Sequence, residues 1–369
     1  MRKLGSFAFP CNFAALYIKQ ALGNYDLHRA PVRDTHVEIV VPDLPNTLQL
    51  RSASDLIAEI RATITSRHAK AIASIHGEQF FIDVRKGATG KDFDLGVQWI
   101  LHAQAGTLDK LEHLLTRDGV YEIFELLAIA RNLFENLIWL RLFNIDSRYG
   151  VVFYREFLDQ HKNDLEQLIA KMAAEAELFD EFAALDSANT HAAFEDAIKE
   201  KPRSDASMKA ASERHRQLAD ALDAKARRGF ALFAAAAKVN SYGWQAHLIR
   251  TKAIPDRQEM LDLVLGHIAD LENRELRDAA AGIAALPRKR WNWREQAERV
   301  GMVDQYDYLY RFTSRLLHAT PMNIITEKTL VEGEDIMLLE YIFVSVSDLL
   351  DEIERFDFPD SSNAIAVTL

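Results

Sequence analysis

The sequence predicts a mainly α-helical bundle with a small N-terminal α/β appendage. Three observations lead there. Gly and Pro are scarce, 15 and 9 among 369 residues, so few positions force a break. From Asp92 onward apolar residues recur with helical period and almost no strand signal remains. Extended, alternating patterns are confined to the first ninety residues. The expected organisation is an α/β segment over residues 1–90, a helical bundle over 91–356 and a loosely held tail over 357–369.

In the first segment, Val37 to Val41 and Gln79 to Val84 read as strands flanking an amphipathic helix from about Ser54 to Lys70. Pro31, Pro42 and Pro45 cut the early chain into short extended pieces. Beyond it, helices are expected near 93–104, 107–116, 119–144, 148–185, 189–200, 205–238, 256–285, 303–319 and 334–356. The stretch from Asp180 to Leu222 is rich in Ala and charge, with KEKPRSDAS in its middle, and reads as an exposed helical excursion through a turn. The tail DFPDSSNAIAVTL shows no period.

Composition narrows the function classes. The single cysteine, Cys11, excludes an internal disulfide framework and an all-cysteine metal site, which points to a reducing, cytoplasmic compartment. The basic, then apolar start resembles a signal peptide, but Pro10, Asn12 and Lys19 spoil the pattern. No run approaches the ~18 apolar residues of a membrane span, so no membrane partner is expected. A net charge of −11 sets the surface as a whole against polyanions, so any nucleic-acid contact must be local.

Several familiar sites are missing. RKGATGKD, residues 85–92, lacks the first glycine of a phosphate loop and has Asp92 where Ser or Thr would hold magnesium. There is no GxGxxG after a strand, no HExxH and no GxSxG. The 12 histidines show no ligand spacing and no Glu is followed three residues later by His, so no metal and no cofactor are expected.

Two segments carry candidate chemistry. The 119–144 helix is apolar on nearly every side, yet contains Arg131 and Glu135, four apart and so on one face. Buried charges are costly unless matched or used, so the pair either registers the core or points into a cleft. The second segment is YDYLYRFTSRLLHATP, residues 306–321. At ~100° per residue, Asp307, Arg311, Ser314, Arg315 and His318 share a polar face, opposite Tyr306, Leu309, Tyr310, Thr313, Leu316 and Leu317. Thr320 before Pro321 ends this helix with His318 in its last turn. Arg and His on one face suit RNA cleavage: imidazole moves a proton at the ribose hydroxyl while guanidinium stabilises phosphate charge. The same residues also suit an ordinary solvated face, and Arg61 and His68 repeat the interval.

Upstream, PRKRWNWR places Arg288, Lys289, Arg290 and Arg294 around Trp291 and Trp293, where cations would meet phosphates and indoles would stack on bases. Alternatively, these tryptophans anchor the next helix.

An Arg and a His separated by six residues, here Arg311 and His318, resemble the motif of the HEPN superfamily, helical bundles of which many are metal-independent ribonucleases in toxin and antiviral systems. The closer likeness is to a bacterial family of unknown function grouped near it, with Arg and Glu on an early core helix and a later Tyr, Arg, Ser and His pattern. The matching residues are Arg131 and Glu135, then Tyr310, Arg311, Ser314 and His318, with WNWREQAERVGM before them. The likeness spans about residues 119–356 and departs from the superfamily pattern at Phe312, where a polar residue is usual. It implies a HEPN-like bundle, frequently dimeric, with Arg311, His318 and Ser314 at the chemistry, Arg131 and Glu135 orienting them, and RNA and a second copy as partners. Two alternatives remain: a noncatalytic helical protein-interaction module, and a small-molecule enzyme using the Arg131–Glu135 cleft.

Overall fold

The computed structural model describes residues 51–75, 95–116, 121–199, 204–280, 291–317 and 332–357. The expected strands at 37–41 and 79–84, and the tail beyond 357, lie outside them. In chain order the helices are α1 (Ala53–Ser74), α2 (Leu95–Thr116), α3 (Ile123–Ile145), α4 (Tyr149–Lys199), α5 (Asp205–Arg228), α6 (Ala234–Asn240), α7 (Tyr242–Leu248) and α8 (Ile254–Ala280). They continue with α9 (Trp293–Arg299), α10 (Val303–Gln305), α11 (Arg311–Leu317) and α12 (Glu332–Arg355). Two π-helical turns, Ile249–Ala253 and Tyr306–Tyr310, interrupt the α-helical runs. The chain is mainly α, and no strand occurs among the described residues.

The described chain falls into two compact units, one formed by the segments up to Ser147 and from Asn292 on, the other by Arg148–Trp291. α1, which the sequence places in the first segment, packs against α12.

In the first unit α3 is the central element. Leu126, Leu127, Ala130, Leu133, Phe134, Leu137, Ile138 and Phe143 are all buried on it, and α12 packs along it. That is the near-continuous apolar surface expected of a core helix. On α12, Leu339, Ile342, Val346, Leu349, Leu350 and Ile353 are buried at helical spacing, facing α3 and α1. Ser52 caps α1 by accepting from the Asp55 amide, and the Asp55 carboxylate accepts from the Ser52 amide, a reciprocal capping box. Ion pairs then set the register. Arg67 of α1 reaches Asp351 at 2.6 Å and Glu354 at 2.9 Å. Arg141 of α3 reaches Asp348 at 2.8 Å and Glu352 at 3.3 Å.

In the second unit, Phe179 and Phe182 of α4 surround Tyr242 of α7, with Phe182 and Tyr242 edge to face at 5.4 Å. Met172, Ala176, Leu222, Ala226 and Ile249 complete this core.

Three helix expectations are corrected. The helices expected at 148–185 and 189–200 are one helix of 51 residues. Asp186, Ser187 and Thr190 look like cap residues, but the Thr190 hydroxyl donates to the Asp186 carbonyl at 2.8 Å, satisfied within the helix. Likewise 93–104 and 107–116 form one helix across Gly106, with Thr107 bonded to the Ala103 carbonyl at 2.8 Å. Conversely, the helix expected over 205–238 stops at Arg228, where Gly229 and Phe230 turn the chain.

Candidate functional site

Arg131 and Glu135 sit on successive turns of α3, and their side chains meet: Nε of Arg131 donates to Oε1 of Glu135 at 3.1 Å. Both side chains keep about a quarter of their surface, 26% and 25%, so the pair lies at the edge of the core rather than inside it. The rest of the guanidinium reaches across to the motif helix. Nη2 donates to the Tyr310 hydroxyl at 2.9 Å and Nη1 to the Ser314 hydroxyl at 3.4 Å. The cation also lies 4.3 Å from the centre of the Tyr310 ring, within cation–π range.

Tyr310 is held in turn by its neighbours. Tyr306 stacks on it at 4.7 Å with 20° between the planes, and Phe134 of α3 backs Tyr306 at 6.3 Å. Burial raises the Tyr306 phenol above its ordinary value, and the neighbouring Tyr310 and Asp307 add to this. On α2, Lys110 is exposed as a side chain, while partial desolvation of its ammonium pulls it down and Glu135 holds it up.

The polar face projected from sequence divides in two. Ser314 joins Tyr310 against Arg131, whereas Arg311 turns outward, 75% exposed, with Nη2 3.7 Å from Asp307. Arg294 of α9 reaches the same Asp307 at 3.4 Å, and these hydrogen bonds raise the Arg294 guanidinium further above its already high value. At ~100° per residue Ser314 stands about 40° from Tyr310 and about 60° from Arg311, so it borders both faces, and the position of Arg131 decides which one it joins. Leu309, Phe312 and Thr313 face the core.

His318, Arg288 and Arg290 lie outside the described residues. Trp291 is half-buried. Trp293 is half-buried too and sits edge-on to Trp139 of α3 at 6.4 Å, which is the helix-anchoring arrangement. Arg294 is engaged by Asp307, so Arg311 and Arg294 present exposed cations that share one carboxylate.

Lys110 and Asp307 are the functional candidates that sequence reasoning passed over as site members. A single Lys on an amphipathic helix gives no local signal. Arg141 was also passed over, although an Arg within the same apolar helix that carries Arg131 was a visible clue. About 15 Å further along α3 at 1.5 Å per residue, Arg141, Asn144, Glu352 and Arg355 line an open cleft of about 720 Å³. Of its carboxylates Glu352 is already answered, since it accepts from Arg141, Asn144 and Arg355.

The chemistry of the Arg131 cluster is that of a donor pocket. The Tyr310 and Ser314 oxygens accept from Arg131, which leaves each hydroxyl hydrogen to donate elsewhere, and each terminal nitrogen of Arg131 keeps a second N–H. Among the described residues, no three His, Cys, Asp or Glu side chains are grouped to hold a metal ion. No described helix is long and apolar enough to cross a membrane. Compared with known proteins, the chain matches no family model, no curated protein and no solved structure.

Proposed function

We propose that this protein binds the phosphate of a nucleotide or RNA at Arg131 and acts as a metal-independent, HEPN-like ribonuclease of bacterial stress or phage defence. The observation that carries the reading is the convergence of donors: the Arg131 guanidinium, fixed by Glu135, Tyr310 and Ser314, with both hydroxyl hydrogens and two N–H groups still available. A preorganised guanidinium flanked by hydroxyls is complementary to phosphate oxygens and needs no reorganisation when charge develops. Arg311 stands on the neighbouring turn, exposed, to steer the adjoining phosphate. His318 follows Arg311 by seven residues in the sequence. It is assigned the proton transfer at the ribose 2′-hydroxyl, with Arg311 stabilising the charge that builds on phosphorus-bound oxygen. RNA and a second copy of the chain are the proposed partners.

The test is incubation of the full chain with total bacterial RNA in EDTA, beside His318→Ala, Arg311→Ala and Arg131→Ala. Cleavage by the wild type, abolished by His318→Ala and Arg311→Ala while the melting temperature holds, supports the reading; undiminished cleavage by His318→Ala refutes it. A second reading, a noncatalytic helical interaction module, is favoured by one observation: Glu135, Tyr310 and Ser314 all face Arg131, as in a clamp between α3 and α11. Under that reading no RNA is bound or cut, and Arg131→Ala lowers stability alone.

A further inference from the structure

Between Ala224 and Pro255 the chain carries six cations, Lys225, Arg227, Arg228, Lys238, Arg250 and Lys252, and not one Asp or Glu, although the whole chain has a net charge of −11. Three carboxylates from elsewhere in the second unit answer part of this charge. Asp223 takes Arg227 at 3.1 Å, Asp220 and Asp223 take Lys238, and Asp180 takes Arg250 at 2.6 Å. With Glu175, whose carboxylate holds the same stretch at Leu232 and Phe233, six cations less four carboxylates leave an excess of two. Arg228 and Lys252 are exposed.

The same stretch exposes large apolar side chains: Phe230 at 79%, Leu232 at 44%, Val239 at 84% and Trp244 at 53%. Phe230 is the telling one. It occupies the turn that ends α5, where the Ala231 amide bonds back to the Ala226 carbonyl at 3.1 Å, and its φ is +52°. Glycine is the usual residue at that position, because a Cβ is strained there. A bulky residue thus sits on strained backbone and packs little of its surface against its own unit, so neither backbone preference nor burial accounts for Phe.

The turn is nonetheless fixed. Glu175, itself 2% exposed, accepts from the Leu232 and Phe233 amides at 2.7 and 2.6 Å. Lys171 donates to the Gly229 carbonyl at 3.0 Å. Phe230 is therefore presented on a rigid corner, so little conformational entropy is lost on docking.

We propose that this corner between α5 and α6, with Phe230 at its tip, docks on the surface of an anionic lipid bilayer. Charge complementarity and side-chain type together select that partner. Exposed cations interspersed along the chain with exposed apolar side chains match a negative headgroup plane over an acyl boundary. Single-stranded RNA would take the cations and aromatic rings, but Leu232 and Val239 offer no π face to a base. Nothing in this requires a spanning helix, and it stands independently of the Arg131 site.

The experiment is co-sedimentation of the full chain with vesicles of phosphatidylglycerol and phosphatidylcholine, with vesicles of phosphatidylcholine alone, and with poly(U). Phe230→Gly, which the backbone prefers, and the pair Arg228→Gln and Lys252→Gln are run beside the wild type, with circular dichroism to verify folding. The expected result is binding to the anionic vesicles that disappears in 0.5 M salt, falls about ten-fold or more for Phe230→Gly and about five-fold per cation removed. Absence of binding to anionic vesicles overturns the proposal. So does equal binding to neutral vesicles, full affinity of Phe230→Gly, or binding to poly(U) but not to lipid.

Discussion

The Arg131–Tyr310 contact can be tested on its own, before any substrate is known, by a double-mutant cycle. Tyr310→Phe removes only the hydroxyl, which accepts from Nη2 of Arg131 at 2.9 Å, and keeps the ring 4.3 Å from the cation. A hydrogen bond to a charged group contributes about 1.5–3 kcal/mol, and partial exposure of Arg131 puts this one near the lower bound, so Tyr310→Phe costs about 1.5 kcal/mol. Arg131→Ala also loses the cation–π contact, about 0.5–1 kcal/mol, and a partly exposed i,i+4 pair with Glu135, about 0.5 kcal/mol. The Ser314 contact, long at 3.4 Å, adds little. Together these put Arg131→Ala at about 2.5–3 kcal/mol. Because both substitutions delete the same hydrogen bond, the double variant should fall short of additivity by about 1–1.5 kcal/mol. Urea unfolding followed by far-UV circular dichroism measures all four corners. Additivity within about 0.3 kcal/mol would mean that the guanidinium and the phenol do not hold each other, and the preorganised donor pocket would have no basis.

Three further outcomes follow from single contacts. Glu175→Gln keeps one acceptor but aims an NH2 group at a backbone amide of the α5–α6 turn, and should cost about 2 kcal/mol, with Glu175→Ala costing about 4; a wild-type urea midpoint for both would dismiss Glu175 as the anchor of that turn. Burial opposes ionisation of Glu354, but hydrogen bonds from Lys70 and Arg67 outweigh it and hold the carboxyl below its usual value. The stabilisation from this clamp is thus complete above the ordinary glutamate pKa and is lost as pH falls through the depressed folded value. Acid unfolding of Arg67→Ala should accordingly show a shallower pH slope than the wild type, and identical slopes would contradict the assignment. Burial raises the Tyr341 phenol to about 12, so its contribution is intact below the ordinary tyrosine pKa near 10 and disappears as pH rises from there through about 12. A tyrosinate absorbance titration should show a late-titrating component that Tyr341→Phe removes.

What the sequence determined by itself was the class of structure and the identity of its most buried helix. Apolar residues on nearly all sides of Ile123–Ile145 admit no other position than a core, and the four-residue spacing of Arg131 and Glu135 was sufficient to pair them. These are properties of one helix, so local periodicity contains them. What only the tertiary structure decided depends on phase and partners. Ser314 lies against Arg131 while Arg311 stays with Asp307, because a helical projection gives the angle between side chains but not which neighbour each one meets. Trp293 became an anchor against Trp139, since an indole beside arginines reads alike whether it faces a base or a core. Continuity of Tyr149–Lys199 through Asp186 and Ser187 was settled by packing on α5, α7 and α8, which outweighs weak local cap preferences. The rigid exposure of Phe230 needed Glu175, a residue 55 positions earlier in the chain, because the carboxylate that holds the turn is brought there only when α4 packs beside it.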